Sequence, residues 1–163
     1  MALPEFVKSL VEPWSSLYAD SKAIVAFTRF LHLGGLLLGG GAAVAFDRIS
    51  FRADSESPAF RSHHQGQLRR VHRVVVVGLG LIVVSGLMML AADLEAFLAS
   101  WVFWIKMTLV LALAVNGYVI TRIDASLRPD APAGWTALRV TSGISFILWF
   151  AIVLAGTLLV LTA

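Results

Sequence analysis

Three ionisable side chains interrupt the long apolar stretches of this sequence, and they are the residues best placed to do chemistry. Arg29 and His32 lie in the first stretch, and Lys106 lies in the third. Ionisable residues at membrane depth are costly and usually mark a ligand site or a proton or ion pathway. An imidazole can ligate a metal or carry a proton, and a cationic side chain can bind a carboxylate. These three residues are therefore the first candidates for a functional site.

Glycines follow His32 along the same side of the first stretch. The stripe consists of Arg29, His32, Gly35 and Gly39, at spacings of three, three and four residues, which places all of them on one face of a helix. One interpretation is a porphyrin laid flat over the two glycines. His32 is then its axial ligand or proton carrier, and Arg29 is directed at a propionate. The alternative is a small-xxx-small helix contact, with His32 bonded to a neighbouring backbone group.

Methionines are expected at the same membrane level as the candidate site. At a rise of about 1.5 Å per residue in an antiparallel bundle, His32 and Lys106 share a layer with Met88, Met89 and Met107. Thioether sulfur together with imidazole suits Cu(I), so a copper site of His32 with one of these methionines is an alternative. For Lys106 two interpretations stay open. The ammonium either pairs with a carboxylate or propionate inside the bundle, or snorkels to the interface on its long stem.

The composition requires a membrane. Of the 163 residues, 58% are hydrophobic and only 14% are charged, against roughly 45–50% and about 25% in average globular chains. A membrane-spanning helix needs about 20 mostly apolar residues, and four stretches qualify: 23–46, 74–92, 101–121 and 140–162. The sequence therefore predicts an all-α integral membrane protein, a four-helix transmembrane bundle forming a single domain over residues 1–163.

The first 22 residues are predicted to lie in the membrane interface. Their apolar residues fall at helical spacing, which is typical of an amphipathic segment lying in the plane of the membrane. Pro13 is expected to interrupt this segment. The sequence thus predicts a short N-terminal interfacial helix, or two half-turns, over residues 1–22.

The distribution of arginines indicates how the chain is oriented in the membrane. The connection between the first two spans carries Arg48, Arg52, Arg61, Arg69, Arg70 and Arg73. The short turn after the second span has Asp93 and Glu95 and no lysine or arginine. By the positive-inside rule the first connection is cytoplasmic and both termini are outside. The expected location is the cytoplasmic (inner) membrane, with the lipid bilayer as the first partner.

Several classes of function are excluded. The chain has no cysteine, which excludes disulfides, zinc–thiolate sites, iron–sulfur ligation and thiol chemistry, so a redox role needs a bound cofactor. The net charge of +3 comes from basic residues in loops rather than along one helix face, which argues against a nucleic acid partner. Gly78-Leu79-Gly80 lies inside a span with no strand before it, so it is not a phosphate-binding loop.

Other residues of the spans are assigned structural roles. Ser85 and Asn116 are predicted to be interhelical hydrogen-bond donors. Trp101 and Trp104 are predicted to belong to an interfacial aromatic belt.

His72 lies too far from His32 to share a haem with it, at about 20 Å along the membrane normal. Two interpretations of His72 remain. It belongs to a basic loop that faces anionic lipid headgroups, or to a second, inner site with Asp47, Arg48 or Arg122.

Short motifs in the first three spans carry a family resemblance. They are Leu31-His32 with its glycine-rich run and Asp47-Arg48, then Leu68-Arg69-Arg70-Val71-His72 and Ser85-Gly86-Leu87, then Trp101, Trp104, Lys106, Leu109-Val110 and Asn116. Over most of residues 27–122 the sequence resembles the small membrane proteins that include the HemJ-type protoporphyrinogen oxidases and the CopD-type copper-resistance domains. A histidine in the first span and a lysine in the third recur in that group. The chain departs from the oxidase pattern around Asp47, and it has Asn116 where a third-span histidine is expected.

The resemblance implies haem or porphyrin near His32 and Lys106 on the HemJ side, and copper handling on the CopD side. Combined with the residues, it predicts a membrane protein that binds a b-type haem or a porphyrin in the outer third of the bundle. The expected chemistry is electron transfer or porphyrin oxidation, with a quinone or a redox partner protein as acceptor. The alternatives are a copper transport or tolerance protein, and a cofactor-free accessory subunit of a larger membrane complex. A homo-oligomer also stays open.

Overall fold

The computed structural model of the chain describes residues 4–50, 58–126 and 132–162, and these ranges are almost entirely helical. The elements are α1 (Glu5–Asp20), α2 (Lys22–Gly35), a π-helical segment (Leu36–Gly40), α3 (Gly41–Ser50), α4 (Pro58–Ala92), α5 (Leu94–Ala99), α6 (Trp101–Ser126) and α7 (Pro132–Thr162). Four stretches are long and apolar enough to span a membrane: Lys22–Arg48, Arg70–Ala92, Trp101–Ser126 and Gly134–Leu161. The predicted all-α four-helix membrane architecture is thereby confirmed.

Most of the surface of these four stretches is apolar and exposed. Only between 11% and 28% of the most apolar part of each is buried inside the protein, and side chains such as Leu37, Leu111 and Ile147 are largely exposed. Soluble monomers rarely expose apolar surface on this scale. The chain is therefore a multi-pass membrane protein.

Two of the helices begin well before their predicted spans. Helix α4 starts at Pro58 and α7 at Pro132, whereas the apolar runs begin at residues 74 and 140. Proline is favourable at the first position of a helix because its fixed φ suits the helix and its missing N–H has no partner there. The first turns of α7 are then held by packing, because Trp135 and Leu138 are buried against Ile120 and Ile123 of α6. Of the arginines used to predict the orientation, Arg52 and the side chains of Arg61 and Arg69 lie outside the described residues.

The N-terminal helix is continuous and is tied to the bundle. The prediction that Pro13 interrupts it is wrong, because α1 runs through Pro13. The indole N–H of Trp14 donates to the Met88 carbonyl oxygen at 2.8 Å, and Lys8 forms an ion pair with Glu95 at 3.0 Å. The hydrogen bond to Glu95 and its negative charge raise the pKa of Lys8. These contacts hold α1 against the end of α4 and against α5, so that the helix persists despite its proline.

The bundle is held by small residues on one side and by an apolar core on the other. Helix α2 and the π-helical segment pack on α4, while α3 and α6 pack on α7. A core cluster joins α3, α6 and α7 through Ala43, Leu113, Trp149 and Ile152. One turn along α6, the Asn116 amide donates to the Thr141 carbonyl oxygen of α7 at 3.0 Å, which confirms the prediction that Asn116 is an interhelical donor.

Candidate functional site

His32 is held by a buried serine of the neighbouring helix. Its Nδ1 lies 3.0 Å from the Oγ of Ser85, a residue of α4 that is fully buried. That Oγ also lies 2.5 Å from the Leu81 carbonyl oxygen and 3.2 Å from that of Ile82, so the hydroxyl proton is donated to the backbone of its own helix. Ser85 therefore accepts the Nδ1–H of His32, and it joins the two helices as predicted, but as acceptor rather than donor.

This contact decides which nitrogen of His32 is free. With Nδ1 as the donor, the neutral ring presents Nε2 as a bare lone pair. A histidine that ligates a metal usually has its other ring nitrogen bonded in this way, which fixes the tautomer and the ring orientation. The ring carbon between the two nitrogens lies beside Gly86, where an added Cβ would stand 3.5 Å from Cε1. His32 is thus oriented to ligate a metal or to accept a proton through Nε2.

Lys106 brings a positive charge into the same bundle. It is half-buried on α6, and its Nζ faces α7 at Gly156, where an added Cβ would stand 3.6 Å away. Within the described ranges Lys106 makes no hydrogen bond and no ion pair. The site therefore combines an oriented imidazole with an uncompensated cation.

Thr28, rather than Arg29, accompanies His32 on the buried face of α2. Thr28 is fully buried one turn before His32, and its Oγ1 has no hydrogen-bond partner among the described residues. The Arg29 side chain is exposed, so the structure does not bring it to the buried side of the helix as the predicted stripe implied. A buried hydroxyl without a partner is uncommon in folded proteins, which makes Thr28 an additional member of the candidate site.

The glycines of the predicted stripe form a contact between the first span and α4. An added Cβ at Gly35 would stand 2.8 Å from the Gly78 carbonyl oxygen, and one at Gly39 would stand 3.2 Å from the Gly78 Cα. A Cβ at Gly78 would overlap the backbone nitrogen of Gly39. The backbones of the first span and of α4 therefore touch at these glycines. This is the small-xxx-small contact, and it leaves no space for a porphyrin laid over Gly35 and Gly39.

The three methionines of the copper alternative differ in their exposure. Met88 and Met89 are half-buried on α4, whereas Met107 is exposed on α6. Met88 contacts α1 through its backbone, since its carbonyl oxygen accepts the indole N–H of Trp14. Among the described residues no group of three or more histidine, aspartate or glutamate side chains is placed to hold a metal ion. Such a group does not include methionine ligands, so a copper site of His32 with one of these methionines stays a prediction.

The second, inner site considered for His72 is not assembled. His72, Arg48 and Arg122 are exposed, while Asp47 is buried. Arg122 instead donates to the Tyr118 hydroxyl at 2.8 Å on its own helix. Among the described residues no hydrogen bond or ion pair joins Asp47 to these three side chains.

A groove lies on the surface of the bundle away from the candidate site. It has a volume of about 390 Å³ and is lined by Leu38, Arg70, Arg73, Val74 and Val77. Neither His32 nor Lys106 lines it. Its walls combine exposed apolar side chains of the π-helical segment and α4 with the side chains of Arg70 and Arg73.

Three members of the site were not singled out from the sequence, namely Thr28, Gly86 and Gly156. The sequence pattern could have indicated Thr28, because it lies four residues before His32 and hence on the same helix face. Gly86 follows the Ser85 that orients the histidine. No sequence pattern indicates Gly156, because its position opposite Lys106 depends on the register between α6 and α7.

Replacing Ser85 with alanine is expected to release the His32 ring. The variant loses the acceptor of the Nδ1–H, so the neutral imidazole redistributes between its two tautomers, and the loss of one hydrogen bond lowers the unfolding free energy by about 1 kcal/mol. Nitrogen-15 NMR of labelled histidine measures the tautomer directly. Thr108→Ala is the matched control, since Thr108 is exposed and bonds only its own helix at Trp104. An unchanged His32 tautomer in Ser85→Ala would contradict the assigned contact.

Comparison of the chain with models of known protein families, with curated proteins and with solved structures finds no match in any of the three. What the chain does is therefore inferred from the geometry around His32 and Lys106.

Proposed function

We propose that this chain is an integral membrane redox protein that binds a b-type haem or a porphyrin at His32 and Lys106. The observation that supports this most strongly is the His32–Ser85 contact at 3.0 Å. It orients the imidazole and leaves Nε2 free inside an apolar bundle, as an axial ligand or a proton acceptor requires. The proposed activity is electron transfer or porphyrin oxidation.

The other members of the site fit the polar edge of such a ligand. Lys106 carries a charge without a counterion in the described structure, and a propionate carboxylate would neutralise it. The Thr28 hydroxyl is fully buried and has no partner there either, so it offers one hydrogen bond to the same ligand. A b-type haem supplies one-electron chemistry through its iron when it is bound. The chain's residues bind it, orient it and exclude water.

The packing limits where the ligand lies. The glycine contact around Gly78 closes the face over Gly35 and Gly39. Gly86 and Gly156 border His32 and Lys106 without side chains of their own. In this proposal these two glycines, rather than Gly35 and Gly39, provide the space beside the functional side chains.

The location and partners follow from the charges of the chain. The arginine-rich connection after the first span is placed on the cytoplasmic side by the positive-inside rule. Both termini and helix α1 are then outside, and the site lies in the outer third of a cytoplasmic membrane. A quinone in the bilayer, or a redox partner protein, would accept the electrons.

Pigment and metal analysis of the purified protein tests this proposal. Protein expressed with ample haem supply is purified in mild detergent, and its porphyrin, iron and copper are measured against protein concentration. Stoichiometric porphyrin, with or without iron, is the expected result. Stoichiometric copper without pigment would replace the proposal with a copper transport or tolerance function. Protein with neither, co-purifying with other subunits, would replace it with an accessory role in a larger complex.

Replacing Lys106 with methionine is expected to lower the reduction potential of a bound haem while the protein still folds. A positive charge near the iron favours the reduced state, and at a low effective dielectric its removal costs on the order of 1 kcal/mol. Potentiometric titration of the visible spectrum measures the shift. Lys22→Met is the matched control because Lys22 is exposed at the start of α2. Equal potentials and equal turnover in both variants would count against a role for Lys106.

A further inference from the structure

Asp47 is an acidic side chain buried in the described bundle without compensation. It lies within the first span, with only 4% of its surface exposed. Its Oδ2 has no hydrogen-bond partner among the described residues. Ser142 and Ser145 of α7 are themselves buried, and α7 packs against α3. This small polar cluster is separate from His32, which lies about 22 Å away along the helix.

The close packing of α3 on α7 brings these three residues together. An added Cβ at Gly40 would stand 3.0 Å from the ring of Trp149, so the first span and α7 touch there. Asp47 lies two turns beyond Gly40, on the same side of the helix. Ser145 and Ser142 lie one and two turns before Trp149 on the antiparallel α7. The carboxyl group therefore faces the two serines by the register of the helix pair.

The carboxyl group of Asp47 is buried, whereas the basic and titratable side chains described on the elements packed around it are exposed. These side chains are Arg48 on α3, Arg70, His72 and Arg73 on α4, and Arg139 on α7. Two hydroxyl donors do not replace the hydration of an ionised carboxylate in an apolar medium, so the site as built requires a positive charge.

We propose that Asp47, Ser142 and Ser145 form a binding site for a small monovalent cation, a proton or Na⁺, at the end of the bundle away from α1. Both cations bind the same carboxylate oxygen. A proton occupies Oδ2 and makes the group neutral. Na⁺ is held by the carboxylate and the two hydroxyls, which are the hard oxygen ligands that such cations prefer. Buried carboxylates in membrane helices commonly serve proton and ion pathways, and this site is independent of the proposed pigment site.

Two measurements on the full-length protein in detergent distinguish the two cations. Infrared spectra of protein labelled with ¹³C-aspartate, compared with Asp47→Asn, report whether the Asp47 carboxyl is protonated near neutral pH. Thermal unfolding in NaCl, compared with KCl at equal ionic strength, reports Na⁺ binding as a saturable rise of the unfolding midpoint. A carboxylic acid band lost in Asp47→Asn supports the proton. A Na⁺-specific rise lost in Asp47→Asn supports Na⁺.

A second variant keeps the test valid if Asp47→Asn fails to fold. Ser142→Ala/Ser145→Ala retains the carboxyl group, and it is expected to shift the carboxylic acid band or to weaken the Na⁺ effect. Thr157→Ala is its control, since Thr157 is exposed on α7 and bonds its own backbone at Val153. An ionised Asp47 in the wild-type protein together with equal unfolding midpoints in NaCl and KCl would overturn the proposal. Neither readout depends on bound pigment, so failure here is distinguishable from failure of the proposed redox function.

Discussion

Replacing His32 with alanine is expected to abolish pigment binding while the bundle still folds. The imidazole is the one side chain of the candidate site whose free nitrogen can ligate iron, and Ser85 fixes its orientation. Alanine removes that ligand and leaves the space beside Gly86 empty. Porphyrin content per protein in the purified variant measures the loss, and circular dichroism confirms that the helices remain.

His72→Ala is the matched control for this experiment. His72 is a histidine of α4 that is exposed, and it lies more than three helical turns from Ser85 on that helix. It is expected to retain the full pigment content. Added imidazole is expected to restore part of the pigment in His32→Ala by occupying the vacated position. A full complement of haem in His32→Ala would contradict the assignment of His32 as the haem ligand.

Replacing Gly78 with alanine is expected to destabilise the bundle strongly. The new methyl group would overlap the backbone of Gly39 and approach the Gly35 carbonyl oxygen to 2.8 Å. Backbone atoms cannot rotate away as a flexible side chain can, so α4 and the first span must separate. Overpacking of this kind costs about 1–3 kcal/mol, and here the separation also disturbs the His32–Ser85 contact two turns further along α4.

Gly80→Ala is the control that isolates the contact. Gly80 lies two residues away on α4, and an added Cβ there meets nothing within 4 Å. Alanine has a higher helix propensity than glycine by about 1 kcal/mol, so this variant is expected to be as stable as the wild type or more stable. Thermal unfolding in mild detergent compares the two. Equal unfolding midpoints for Gly78→Ala and Gly80→Ala would show that the helices do not touch at Gly78.

The spans were predictable because a membrane imposes a simple rule on the sequence. An apolar run of sufficient length must cross the bilayer as a helix, and all four runs do so. Helices α4 and α7 begin before the predicted spans, because the apolar run marks the membrane and not the end of the helix. For α7 the additional turns are held by Trp135 and Leu138, whose burial against α6 a hydropathy pattern does not record.

The candidate site was predictable in its residue types but not in its pairings. His32 and Lys106 were conspicuous because ionisable residues are rare in apolar spans. Which residues face them depends on helix rotation and register, which a single sequence does not specify. Ser85 as acceptor for His32 and Gly78 as partner of Gly39 both result from the close approach of α2 and α4. The same rotation buries Thr28 and exposes its neighbour Arg29.

The absorption spectrum of the purified wild-type protein, oxidised and then reduced with dithionite, tests whether the protein binds haem or porphyrin. Protein expressed with ample haem supply is predicted to show a Soret band that shifts on reduction, or porphyrin bands without that shift if the ligand lacks iron. The first spectrum indicates electron transfer by a haem, and the second indicates porphyrin oxidation. A featureless visible spectrum in both states would contradict the proposed function.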